Sequence, residues 1–187
     1  MSSVTFHTAV GGDGSTVTDD SEQAMTKKTR LTFYKGRKSE NRKSLVGDWL
    51  ICWATGSQFS HVELVASMWP AWSEVLSSSL RDKGVRAAWR SLAPERWVIV
   101  EFDGDSSEAI AYIRSRVGTP YGWPDLLSFL LPFRVSTPWD FCSEVIAKAF
   151  KLADAWHKSP GDLYRWAEQQ PGFRVLAADE FGLPWTA

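Results

Sequence analysis

At 187 residues the chain is long enough for one domain with a substantial core and short for two. Its 44% hydrophobic and 23% charged residues are those of an ordinary globular protein, and a net charge of -1 leaves no global electrostatic footprint for nucleic acid. Cys52 and Cys142 alone make no disulfide framework, and three scattered histidines without a paired-cysteine motif offer no zinc set, so neither metal nor cofactor is expected.

No stretch is apolar enough to span a bilayer, and the N-terminus lacks the basic-then-apolar pattern of a signal peptide. The expectation is a chain made in the cytoplasm, with no transmembrane segment, that leaves only if another machine exports it. Residues 1–29 are rich in Gly, Ser, Thr and Asp and cannot bury much apolar surface, so they read as an arm that is mobile or held by a partner. A neighbouring subunit is the simplest holder, which makes homo- or hetero-oligomerisation through the arm an expectation.

Residues 30–187 read as one domain. Leu31-Thr32-Phe33-Tyr34 predicts a first strand, followed by a basic loop from Lys35 to Lys43 that reads as solvated surface. Trp49–Trp53 and His61–Val65 are strand-like runs separated by Thr55-Gly56-Ser57. The Trp-, Ser- and Arg-rich stretch from about 69 to 97 reads as an insertion, helical or a long connection. Trp97–Phe102 is the clearest strand, stopped by Asp103-Gly104-Asp105. Ser107–Ile113 predicts a helix ending near Gly118, residues 125–131 a short apolar helix, and Phe173–Leu176 a last strand. Strands in the middle and helices mostly late make an α+β domain. Eleven tryptophans could line a groove, sit at an interface or fill a core, with core packing put first.

Around Cys142 the apolar residues Phe141, Val145, Ile146, Ala149, Phe150 and Ala153 recur at helical spacing, after Thr137-Pro138 as a start signal. That sets a cysteine at a helix N-terminus, where the dipole and a nearby imidazolium favour the reactive thiolate. Asp140 and Glu144 work against this, so a histidine must be close, and His61 is the candidate. A thiol nucleophile with an imidazole base attacks a carbonyl and forms an acyl-enzyme. A third polar group should orient the imidazole. Glu63 shares a strand face with His61, but Glu101, on a separate strand able to pair beside it, is preferred on geometry. Taken singly, a cysteine on an apolar helix face is most often a small core residue, and Cys52, inside an apolar run, is read as core.

Order and flanking sequence add to this. Gly47-Asp48-Trp49-Leu50, Ser60-His61-Val62-Glu63-Leu64-Val65, Val100-Glu101-Phe102, Tyr121-Gly122, Phe141-Cys142-Ser143-Glu144 and Ser159-Pro160-Gly161-Asp162-Leu163 occur in that order. The set, over residues 31 to 165, resembles the YiiX type of permuted papain-like amidases, within the NlpC-like superfamily of cysteine peptidases and amidases. The resemblance implies a central antiparallel sheet packed against helices, with the nucleophile at a helix N-terminus. It also implies Cys142 as nucleophile, His61 as base, Glu101 as third member and Tyr164 near the pocket; Tyr121 and Glu63 are further candidates for substrate contact. Two departures are the separation of His61 and Glu101, 40 positions apart (101 − 61), and Glu63 itself, where the family more often has a small residue.

The expected function is a thiol hydrolase acting on an amide bond, with a peptide or acyl substrate and cell-wall peptide as the first choice. An acyl-ester or N-acyl hydrolase or acyltransferase on lipid-like molecules is the close alternative. A different class is a structural subunit of a larger assembly such as a phage virion, its site retained or vestigial.

Overall fold

Alternation of apolar and polar residues in KTRLTFYK builds the strand at the centre of the protein, β1 (Lys28–Lys35), with Leu31 and Phe33 fully buried. The computed structural model describes residues 27–36, 51–69, 71–122, 124, 137–177 and 180. Most of the expected arm, the basic loop beyond Gly36, Gly47 to Leu50 and the expected helix at 125–131 lie outside the described residues. The strand begins before Arg30, where the domain was expected to start, and Thr29 is already buried.

Five further strands complete a mixed α+β architecture: β2 (Phe59–Trp69), β3 (Trp72–Ser79), β4 (Gly84–Arg90), β5 (Trp97–Asp103) and β6 (Arg174–Val175). They form one antiparallel sheet in the order β4-β3-β2-β1-β5-β6. Among the described residues three helices come late in the chain, α1 (Ser107–Ser115), α2 (Cys142–Ala149) and α3 (Pro160–Glu168), with a 3-10 turn at Ala155–His157. One sheet face, through Leu31, Phe33, Val62, Leu64, Val100 and Phe102, shares the main core with Val145, Ile146 and Leu163 of the helices. A smaller cluster of Val65, Val75, Leu92, Ile99 and Leu176 takes the alternate positions on the other face.

Two expectations are corrected. The stretch after Trp69 is neither helix nor long connection but the β3–β4 hairpin, paired from Ser73↔Arg90 to Ser79↔Gly84. Serines hid the alternation: Ser77 and Ser78 are buried in the sheet, their hydroxyls donating to the Val62 carbonyl (2.7 Å) and the Asp140 carbonyl (2.6 Å). Residues 51–55 are helical rather than extended, although Cys52 is buried as expected. Tryptophan also departs from expectation. No described Trp is fully buried, and Trp53, Trp69, Trp72 and Trp89 are more than half exposed.

Candidate active site

Cys142 is the first residue of α2, and Phe141 caps the helix in an extended conformation with no side-chain cap bond. Almost every residue of α2 is buried, so the helix is fixed by packing all round, and Cys142 itself is 3% exposed. The segment leading into it is anchored at Asp140. Its carbonyl accepts from Ser78 of β3 and from the Gly122 N–H, and its fully buried carboxylate accepts from Arg116 (2.9 Å) and Lys148 (2.6 Å). Lys148 also pairs with Glu144 at 2.8 Å. The two carboxylates flanking Cys142 are therefore held by cations, which blunts their repulsion of a thiolate.

His61 enters from β2. Tyr34 of β1 pairs with His61 and Lys35 with Phe59, so Ser60 is an extra residue that kinks the strand immediately before the imidazole. The ring interacts with the Cys142 side chain, and its Nε2 lies 3.0 Å from Glu63 Oε1. Burial lowers the pKa of His61, but its interactions with Cys142 and then with Glu63 outweigh it and hold the imidazole at about 9. Glu63 is fully buried, which raises its pKa. The hydrogen bond and charge of His61, then Arg86 and Arg90, overcome that and bring it down to about 2.

Glu101, expected as the third member, is corrected by the strand order. β1 lies between β2 and β5, so β5 does not pair beside His61. Glu101 is opposite Arg30, whereas Tyr34, the residue opposite His61, is opposite Trp97. Four residues along a strand is about 13 Å. Glu101 instead accepts from Arg30 (2.6 Å) and Arg174 (3.0 Å), tying β5 to β1 and β6. The position near His61 belongs to Glu63, whose spacing of two puts it on the same strand side.

The residues expected to line the substrate site are also redistributed. Glu63, fully buried between His61 and two arginines, has no surface to offer a substrate. Tyr164 packs its ring on Phe33 and Phe59, at centroid distances of 5.3 and 4.9 Å, as part of the main core's edge. Tyr121 is buried and bridges through its backbone to Asp140, two residues before the thiol.

A scan of protein-family models and a search of curated proteins find no match to this chain.

Sequence reasoning missed the cations Arg86, Arg90, Arg116 and Lys148. The signal for the first two was present: Arg86, Ala88 and Arg90 alternate with Val85, Ala87 and Trp89, which is a strand pattern with both arginines on one side. Among the described residues no group of three or more His, Cys, Asp or Glu could hold a metal ion. No helix among them is long and apolar enough to cross a membrane. Two concavities among them lie away from the thiol. One of about 240 Å³ is lined by Glu108 and Phe150, another of about 220 Å³ by Leu152 and Trp166.

Proposed function

We propose that the chain is a cysteine hydrolase that cleaves an amide bond through Cys142, His61 and Glu63, on a permuted papain-like fold. The observation that carries this is the imidazole of His61 held by the Glu63 carboxylate at 3.0 Å on Nε2 and interacting with the Cys142 side chain. A ring nitrogen that donates to Glu63 cannot also take the thiol proton. Nε2 thus faces Glu63, and Nδ1 is the base.

In that reading His61 holds the proton of Cys142 as a thiolate–imidazolium pair. The thiolate attacks the carbonyl, and the oxyanion is met by first-turn N–H groups at the uncapped start of α2. Collapse expels the amine, which takes the proton from His61 Nδ1 and leaves a thioester on Cys142. Water then attacks the thioester, returning its proton to Nδ1 as the thiolate leaves. Cell-wall peptides are the first substrate class to test.

A second reading, a structural subunit with a retained site, is favoured by one observation: Cys142 is 3% exposed, and neither the Glu108–Phe150 nor the Leu152–Trp166 concavity reaches it. Alkylation by iodoacetamide from pH 5 to 9 separates the two, with Cys142→Ala and His61→Ala as controls. An active site gives fast labelling at low pH that needs both residues, and thioester formation with peptide amides or acyl esters. Labelling no faster than a free thiol, with no turnover of either substrate class, favours the structural subunit.

A further inference from the structure

The β3–β4 hairpin, an insertion by sequence, brings two arginines to the buried carboxylate behind His61. Arg86 Nη2 donates to Glu63 Oε1 at 2.5 Å, the same oxygen that lies 3.0 Å from His61 Nε2, and Arg90 Nε is 3.8 Å from it. Both guanidiniums are mostly buried and both also pair with Asp82 in the β3–β4 turn. The groups facing Glu63 are thus His61 on its own strand and Arg86 and Arg90 on β4. Facing His61 are Glu63, Cys142 of α2 and the ring of Trp97 at 6.4 Å.

This arrangement matters most after the first chemical step. In the thiolate–imidazolium pair of the proposed function, the charge on Cys142 would help to keep the proton on His61. Acylation removes that negative charge, and the imidazole must then be neutral to take a proton from water. A desolvated carboxylate 3.0 Å away would by itself keep the imidazole charged. Sharing Oε1 with a guanidinium weakens that hold while keeping the carboxylate oriented.

We propose that Arg86, supported by Arg90, is a positioning residue for deacylation: it seats Glu63 on His61 Nε2 and offsets its charge, so that His61 is neutral once Cys142 is acylated. The inference rests on the Cys142–His61 pair of the proposed function, and it gives the hairpin a role in tuning the base.

The test uses the full chain with Cys142 capped by iodoacetamide, which removes the thiolate charge as acylation does. With three histidines in the chain, the His61 imidazole signal is assigned by His61→Gln and titrated by NMR. Capping is expected to lower the His61 midpoint. In the capped protein Arg86→Gln is expected to raise it by about half a pH unit or more, Arg86→Lys to leave it near wild type, and Arg90→Gln to raise it less. An unchanged or lowered midpoint in folded Arg86→Gln overturns the proposal, and Arg90→Gln decides by the same criterion if Arg86→Gln does not fold. Identical midpoints before and after capping would instead remove the Cys142–His61 pair, and the proposed function with it.

Discussion

His61 Nε2 and Glu63 Oε1 lie 3.0 Å apart although the two residues are separated by a single position on β2. Such neighbours share a strand side, but a carboxylate seldom reaches squarely back to a ring there. Two features make the contact possible: the extra residue at Ser60, which kinks the chain just before the imidazole, and Arg86, which fixes the carboxylate from β4.

The two glutamates should therefore separate cleanly. Glu63→Gln removes the charge that supports the imidazolium and leaves Arg86 and Arg90 short of a counter-ion. We expect Cys142-dependent turnover to fall by about 100-fold and stability by roughly 3 kcal/mol. Glu101→Gln loosens Arg30 and Arg174, both partly exposed, and should cost about 1 kcal/mol with turnover unchanged. Parallel urea unfolding and turnover assays check both. Equal loss of turnover in the two variants would contradict the assignment of Glu63.

Stability should carry the signature of the same pair. His61 is raised from 6.5 to about 9, so its contribution is complete below pH 6.5 and is lost as pH rises through about 9. Glu63 is lowered from 4.5 to about 2, so its contribution is present above pH 4.5 and is lost as pH falls toward about 2. Unfolding free energy measured from pH 3 to 10 should decline at both ends. Cys142→Ala removes the largest support of the imidazolium and should move the alkaline decline toward pH 6.5. An alkaline decline unmoved by Cys142→Ala would separate the thiol from the imidazole.

Much of this arrangement was legible in the chain. The strands at Leu31–Tyr34, His61–Val65 and Trp97–Phe102, the helices from Ser107 and Cys142, and the strand near Arg174 all accord with periodicity and stop signals. What was not legible has physical causes. The β3–β4 hairpin uses serine at buried positions, where hydroxyls donate to carbonyls of Val62 and Asp140 and a hydrophobic pattern is absent. The choice between Glu63 and Glu101 depended on which strand lies beside β2, and strand order is a tertiary property that alternation cannot reveal.

Asp140 is expected to act on the nucleophile through position alone. Its carboxylate is fully buried between Arg116 and Lys148, and its carbonyl ties the start of α2 to Ser78. Asp140→Ala takes the shared partner from Arg116 and Lys148, both partly exposed and Lys148 still paired with Glu144, and should destabilise by roughly 2 kcal/mol. Lys148→Met keeps the Arg116 partner and should cost about 1 kcal/mol. Urea titrations give both values. A loss under about 1 kcal/mol in Asp140→Ala would mean the segment before Cys142 is held by packing of Phe141 and not by this ion pair.

Tyr164 tests the boundary between core and site. Its ring rests on Phe33 and Phe59 with Phe173 at its edge, and no described hydrogen bond engages its hydroxyl. Removing only the hydroxyl, in Tyr164→Phe, should change stability by less than about 1 kcal/mol and leave turnover intact. Removing the ring, in Tyr164→Ala, opens a cavity against β1 and β2 and should cost about 3 kcal/mol. Thermal unfolding together with a turnover assay separates the outcomes. A Tyr164→Phe variant that folds normally but loses turnover would return the hydroxyl to the substrate site, because ring packing on Phe33 and Phe59 survives that change.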